Sequence, residues 1–208
     1  AYENPTRSCS GYLIHTHEGY IVIDCGNGFI QQLSRKYGDE NVVTIIKDLK
    51  CVWLSHCHFD HIIGIYDLLF YRKKLTNSEL LICCDPLCEA EIKEKQKIYG
   101  KGNENFFHLI FNDRKKIIDV CGIEIKSIGT IHTEFSMGCV MNFKNNGLKL
   151  TYTGDMFYDD KFINEVGNCD ILISEATYPK DKADRCSVHQ HMSNVQAESL
   201  QTRLNASY

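Results

Sequence analysis

The sequence lacks any apolar run long enough to span a bilayer, any secretory leader pattern, and any linker, internal repeat or low-complexity tract. These absences leave one ordinary globular unit as the expectation, intracellular and without a membrane segment. Eleven cysteines are present, yet none falls in the paired spacing of a zinc ribbon, so reduced thiols filling a core are expected rather than disulfides. Positive charge is also short. Lys and Arg number 23 against 27 Asp and Glu, and a net charge of -4 taken alone argues against a nucleic-acid binder, since phosphate contacts need Lys and Arg. Two doubly charged cations would cancel that deficit and concentrate positive charge where they sit. At 208 residues the chain suffices for one buried core, so residues 1–208 are read as a single domain.

What the sequence does hold is concentrated in one stretch. The apolar run Cys51-Val52-Trp53-Leu54-Ser55 empties into His56-Cys57-His58-Phe59-Asp60-His61, three histidines and a carboxylate within six residues. A β-type run delivering such side chains at its carboxyl end reads as a metal loop. In extended backbone His56 and His58 point the same way and suit one ion, whereas Asp60 and His61 fall where the chain turns into Gly64–Tyr71 and suit a second.

Around it, strands and helices alternate. Gly11–Ile14 and Tyr20–Ile23 predict a hairpin with His15 and His17 at its tip as exposed turn residues. Asp24-Cys25-Gly26-Asn27-Gly28 predicts a turn before a helix over Phe29–Tyr37, and Asn41 opens a second short helix. Leu80–Cys84 predicts a buried strand. Pro86 starts a helix to about Ile98 whose Lys93, Lys95, Lys97 and following Lys101 form a solvated face, and His108 is a packed or edge-strand histidine. Runs over Lys116–Val120 and Ile123–Ile128 lead to His132. Leu148–Thr153 ends in Gly154-Asp155, and Asp170–Ile173 runs into Ser174-Glu175-Ala176-Thr177. His189 and His191 precede a helix over Asn194–Leu204. Polar residues thus recur past strand ends, the mark of stacked sheets flanked by helices with a site at one rim. The end, Leu204–Tyr208, reads as the start of a further strand, and the chain as a fragment.

Positions 56 to 61 match His-x-His-x-Asp-His and so resemble the metallo-β-lactamase superfamily. Within it the chain is similar to ribonuclease Z, the tRNA 3′-end endonuclease, and to the carboxyl-terminal half of its long eukaryotic form. The resemblance rests on Ile23–Gly28 with Gln32-Leu33 and Lys36–Asp39, Leu54-Ser55-His56, Gly64, and His132 with Gly138-Cys139. Tyr152–Asp155, Ser174–Thr177 and His191-Met192-Ser193 complete it. Ser174 stands where that family has His, and Met156 where it has Thr.

The resemblance implies an α/β, four-layer αββα sandwich, here truncated before its last strands. It implies two Zn²⁺, with Mn²⁺ able to substitute. His56, His58 and His132 would hold one ion, Asp60 and His61 the other, and Asp155 both; the second site would lack one further His that follows Tyr208 in the family. Asp60 would serve as general base, and His191, oriented by Glu175, as general acid. Precursor tRNA is the implied substrate, cut to leave a 3′-hydroxyl and a 5′-phosphorylated trailer. Only 22 residues separate His132 from Asp155, too few for the bacterial tRNA-binding arm, so an amino-terminal half or second subunit would carry it. Nucleus or mitochondrion is the implied compartment. Two other readings share the motif: a hydrolase of small phosphodiesters or thioesters, and a non-catalytic, metal-stabilised half.

Overall fold

A computed structural model describes residues 8–114 and 117–208. It is mixed α/β and contains two five-stranded sheets, one in each of two compact units that meet in sequence at Asp113 and Arg114.

In the first unit the sheet order is β1-β2-β3-β4-β5. Strands β1 (Tyr12–Thr16) and β2 (Gly19–Ile23) form the expected antiparallel hairpin, and β3 (Leu49–Trp53), β4 (Leu80–Cys83) and β5 (Leu109–Asn112) continue it in parallel. Parallel strands need crossovers. These are supplied by helices α1 (Phe29–Tyr37) and α2 (Asp39–Lys47), then the single turn α3 (Phe59–Ile62) with α4 (Ile65–Leu75), then α5 (Pro86–Tyr99). Helix α5 starts as its sequence demands: Pro86 occupies the first turn, and Asp85 accepts from the backbone N–H groups of Leu87 and Cys88 at 2.8 Å. Helix α2 starts two residues before Asn41, at Asp39, because Gly38 (φ 80°) breaks from α1 and turns the chain there. Val22, Val52, Leu54, Ile62, Ile65, Leu68, Leu80 and Ile82 are buried in one cluster between sheet and helices. Burying side chains of this size stabilises by about 1.5–3 kcal/mol each.

In the second unit the order is β10-β9-β8-β7-β6, from β6 (Ile118–Val120), β7 (Ile123–Gly129), β8 (Met137–Phe143), β9 (Lys149–Tyr152) and β10 (Ile171–Ile173). Lys116, where the sequence begins the β6 run, lies outside the described residues. Helix α6 (Asp160–Val166), capped by the Asp159 carboxylate, has no counterpart among the sequence expectations. A 3₁₀ turn (Lys180–Arg185) leads into α7 (Cys186–His189), which takes up His189. Helix α8 (Asn194–Arg203) opens on a reciprocal cap between Ser193 and Gln196. Leu204 caps that helix instead of starting a strand; the last residues run beside β10, where Ser207 N–H donates to Asp170 O and Leu172 N–H to Tyr208 O.

Strand direction sets where chemistry can gather. β2, β3, β4 and β5 are parallel, so Asp24 and His56 leave the first sheet on one edge. In the second sheet β7 and β9 are each antiparallel to β8, and β10 is parallel to β9. His132, Asp155 and Glu175 therefore also follow strands that end on one edge.

Candidate metal centre

The first unit positions its ligand-type residues from the backbone up. After β2, Asp24 adopts a left-handed backbone (φ 52°), which Asp tolerates better than most residues, while its N–H donates to Trp53 O at 2.8 Å. This turns a fully buried carboxylate toward the His56–His61 loop. Its Oδ1 accepts the Ser55 N–H at 2.6 Å; its Oδ2 accepts the Ser55 hydroxyl at 2.8 Å and faces His61 Nδ1 at 2.6 Å. Ser55 Oγ in turn lies 2.9 Å from His56 Nδ1. Both rings are thus oriented through Nδ1, the arrangement by which a carboxylate fixes the tautomer of a metal-binding imidazole. Their Nε2 atoms face other ligand-type atoms: His56 Nε2 lies 3.0 Å from His58 Nδ1, and His61 Nε2 3.7 Å from Asp60 Oδ2. Convergent imidazole nitrogens with a carboxylate beside them suit a borderline cation such as Zn²⁺.

Two glycines let this loop close. Cys25 N–H donates to His61 O at 2.7 Å, Gly64 N–H to Cys25 O at 2.8 Å and Ser10 N–H to Asp60 O at 3.1 Å. A Cβ on Gly26 would strike the Asp60 carbonyl oxygen, and one on Gly64 the Gly26 carbonyl oxygen. On the other side, Cys57 Sγ donates to Glu91 Oε2 (3.4 Å) and Tyr66 OH to Glu91 Oε1 (2.7 Å), tying the loop to α5. Burial and the Glu91 carboxylate hold the Tyr66 phenol above its usual range, so it stays a donor.

The second unit gathers His132, Asp155, Glu175 and His191. One ligand atom each from Asp155, Glu175 and His191 lie within 4.8 Å of one another. His132 Nδ1 is 3.1 Å from Gln190 O, and its Nε2 is 3.9 Å from Asp155 Oδ2. His191 Nδ1 sits 3.0 and 3.2 Å from the two Glu175 oxygens and 3.8 Å from Asp155 Oδ2. Burial alone would lower the pKa of His191, but Glu175 and then Asp155 outweigh it and leave the imidazole above its ordinary value.

Glu175 is itself held by the N–H groups of Met156 (2.6 Å) and Met192 (3.1 Å) and by the Thr177 hydroxyl (2.8 Å). The Met at 156 therefore leaves this anchor intact, since its contribution is backbone and its side chain is buried among Phe162 and Leu200. Ser174 donates its hydroxyl to Glu175 O.

Sequence reading missed Asp24, Ser55 and Thr153 as parts of these clusters. Thr153 Oγ1 accepts the Glu175 N–H at 3.2 Å and donates to Gly154 O. The available signal was an acid or hydroxyl at a strand end, the same signal that marked Asp155. Outside both clusters, His15 is exposed and stacks on Tyr20, His17 is exposed, and His108 precedes β5 with Lys73 Nζ 3.1 Å away. Lys93 and Lys97 pair with Glu89 and Glu104. No helix among the described residues is long and apolar enough to cross a membrane.

Known proteins resemble this chain in sequence and in fold. The chain is 28% identical to a mitochondrial ribonuclease Z of Drosophila melanogaster over 98% of its own length and 28% of the relative's. It is 26% identical to the mitochondrial ribonuclease Z 2 of Schizosaccharomyces pombe over 96% of its length and 30% of the relative's. The chain thus spans less than a third of the curated relatives it matches. Among solved structures, the short form of human tRNase Z superposes with a TM-score of 0.81 at 20% identity, covering 99% of this chain and 85% of that one. A metallo-beta-lactamase fold protein of Bacillus subtilis gives 0.79 at 25% identity, covering 99% and 78%. The family model described as a beta-lactamase superfamily domain matches residues 20–208, across both units. The chain belongs to the metallo-β-lactamase superfamily, with the fold of that family and ribonucleases Z among its relatives.

Proposed function

We propose that this chain is the catalytic part of a metal-dependent endoribonuclease that removes the 3′ trailer from precursor tRNA. The observation that carries it is the Glu175–His191 pair beside Asp155. The His-x-His-x-Asp-His loop alone suits hydrolysis of many substrates, whereas an imidazole held by a carboxylate serves a reaction whose leaving group needs a proton. The similarity to ribonucleases Z supports the same reading.

On this reading His56, His58 and His132 would hold one Zn²⁺, Asp60 and His61 a second, and Asp155 both, and Mn²⁺ would substitute. Ions held there would activate water and neutralise charge on a phosphodiester. The residues do the rest. Asp60 takes the proton of the attacking water, and His191, charged through Glu175, gives one to the departing ribose 3′-oxygen; such transfers typically contribute about 10²–10⁴-fold. Asp24 and Ser55 hold His61 and His56 at the required tautomer. Residues 1–208 act as one metallo-hydrolase domain, a reading favoured by one family model matching across both units. The compartment proposed is the mitochondrion, named for both relatives.

Residues 133–154 favour a second reading. They form β8, a turn and β9, with no arm for tRNA. Either an amino-terminal half or second subunit supplies recognition, or the substrate is a small phosphodiester. Mapping the cleavage of an end-labelled tRNA precursor by zinc-loaded protein decides. One cut next to the tRNA's unpaired 3′ nucleotide establishes the nuclease; turnover of bis(p-nitrophenyl) phosphate with no RNA cut means that the chemistry is in this chain and that RNA recognition is not.

A further inference from the structure

Within the metal loop, the residue between His58 and Asp60 is a phenylalanine that is 72% exposed. A lone exposed apolar side chain on a surface needs no explanation. Phe59 differs in its location and its support. It occupies the first position of α3, with proposed ligands on both sides in sequence, and Ile63, 38% exposed, follows one turn later on the same helical face. Its backbone does not move freely, because the next residues are clamped by Ser10 N–H to Asp60 O, Cys25 N–H to His61 O and Cys25 O to Gly64 N–H. Phe59 O also accepts the Ile63 N–H at 3.0 Å. The ring is thus an exposed apolar face on a held backbone, between two proposed ligands in sequence.

We propose that Phe59 is a stacking platform for the base of the nucleotide adjoining the scissile phosphate. This rests on the nuclease reading above and adds to it how a chain of net charge -4 grips a nucleic acid. Every base offers a π-face, so an aromatic platform binds single-stranded nucleic acid with little dependence on sequence and without added positive charge. A phenyl ring has only two rotatable bonds, and its held backbone leaves little freedom to lose when a base stacks on it.

Binding, not turnover, is the direct test. The single tryptophan, Trp53, is fully buried, so Phe59→Trp adds one exposed indole reporter. Titration with a short, cleavage-resistant phosphorothioate oligoribonucleotide should quench that indole, and an abasic version should not. Anisotropy of the same labelled oligonucleotide should show Phe59→Ala weakening binding roughly 5- to 150-fold and Phe59→Tyr preserving it. Equal affinity of Phe59→Ala and the parent overturns the stacking role and leaves the nuclease reading in place. No binding by the metal-loaded parent overturns the stacking role as well, and the cleavage mapping above then decides the nuclease reading separately.

Discussion

Asp24 is the residue whose role was least visible beforehand. It reads in sequence as the lead into a glycine turn, and only the fold brings its buried carboxylate onto Ser55 and His61. Asp24→Asn keeps the size but presents an N–H where His61 Nδ1 needs an acceptor, so the ring turns to its other tautomer and Nε2 carries the proton. Zinc affinity is therefore expected to fall about 10- to 100-fold, the usual loss when such a supporting group is removed. Competition against a zinc-binding dye measures this, and unchanged affinity would show that Asp24 only packs. His191 was legible because Glu175 and His191 both stand in recognisable motifs. His191→Ala should retain zinc yet slow RNA cleavage about 10²–10⁴-fold, and slow a p-nitrophenyl ester far less, since nitrophenolate leaves without a proton. Equal slowing on both substrates would remove the acid role.

At the scale of elements, strong patterns were legible and weak ones were not. Phe29–Tyr37 has amphipathic spacing and lysine and arginine in its last turn, and it forms α1 over the expected residues. Helix α6 spans only seven residues and buries Phe162, Ile163 and Val166, too short a run for a period to declare itself before Asp159 and the core select it. The β3–α3–α4 connection shows another limit: its histidines were readable, but the backbone seam of Cys25, Gly26 and Gly64 that fixes them joins residues about 40 apart in sequence. Gly64 has an ordinary helical φ of -71°, so Gly64→Ala introduces no torsional penalty, only a clash with the Gly26 carbonyl and crowding of the Cys25 carbonyl oxygen. A loss of about 1–3 kcal/mol is expected, as for overpacked sites generally, with weaker zinc binding alongside. Gly129→Ala is the control, because its Cβ would meet nothing within 4 Å. Thermal melts of the pair check this; equal melting temperatures would mean that the seam yields without cost.

For the whole molecule, charge and metal loading are coupled. Two doubly charged ions would neutralise the net -4, and ligands holding them would stabilise the native chain by mass action, about 2.7 kcal/mol at a free metal concentration 100 times the dissociation constant. Trp53, buried in the first unit, reports unfolding there. Asp155 belongs to the second unit, and the proposed ligand set makes it common to both ions. With that set, zinc should raise the Trp53-monitored melting temperature of the parent chain. Asp155→Ala should remove most of that increase without lowering the metal-free melting temperature by a similar amount. It should also abolish phosphodiester cleavage. An Asp155→Ala chain whose Trp53 transition still shifts fully with zinc would mean that His56, His58, Asp60 and His61 bind metal without Asp155, and the assignment of a shared carboxylate would fall.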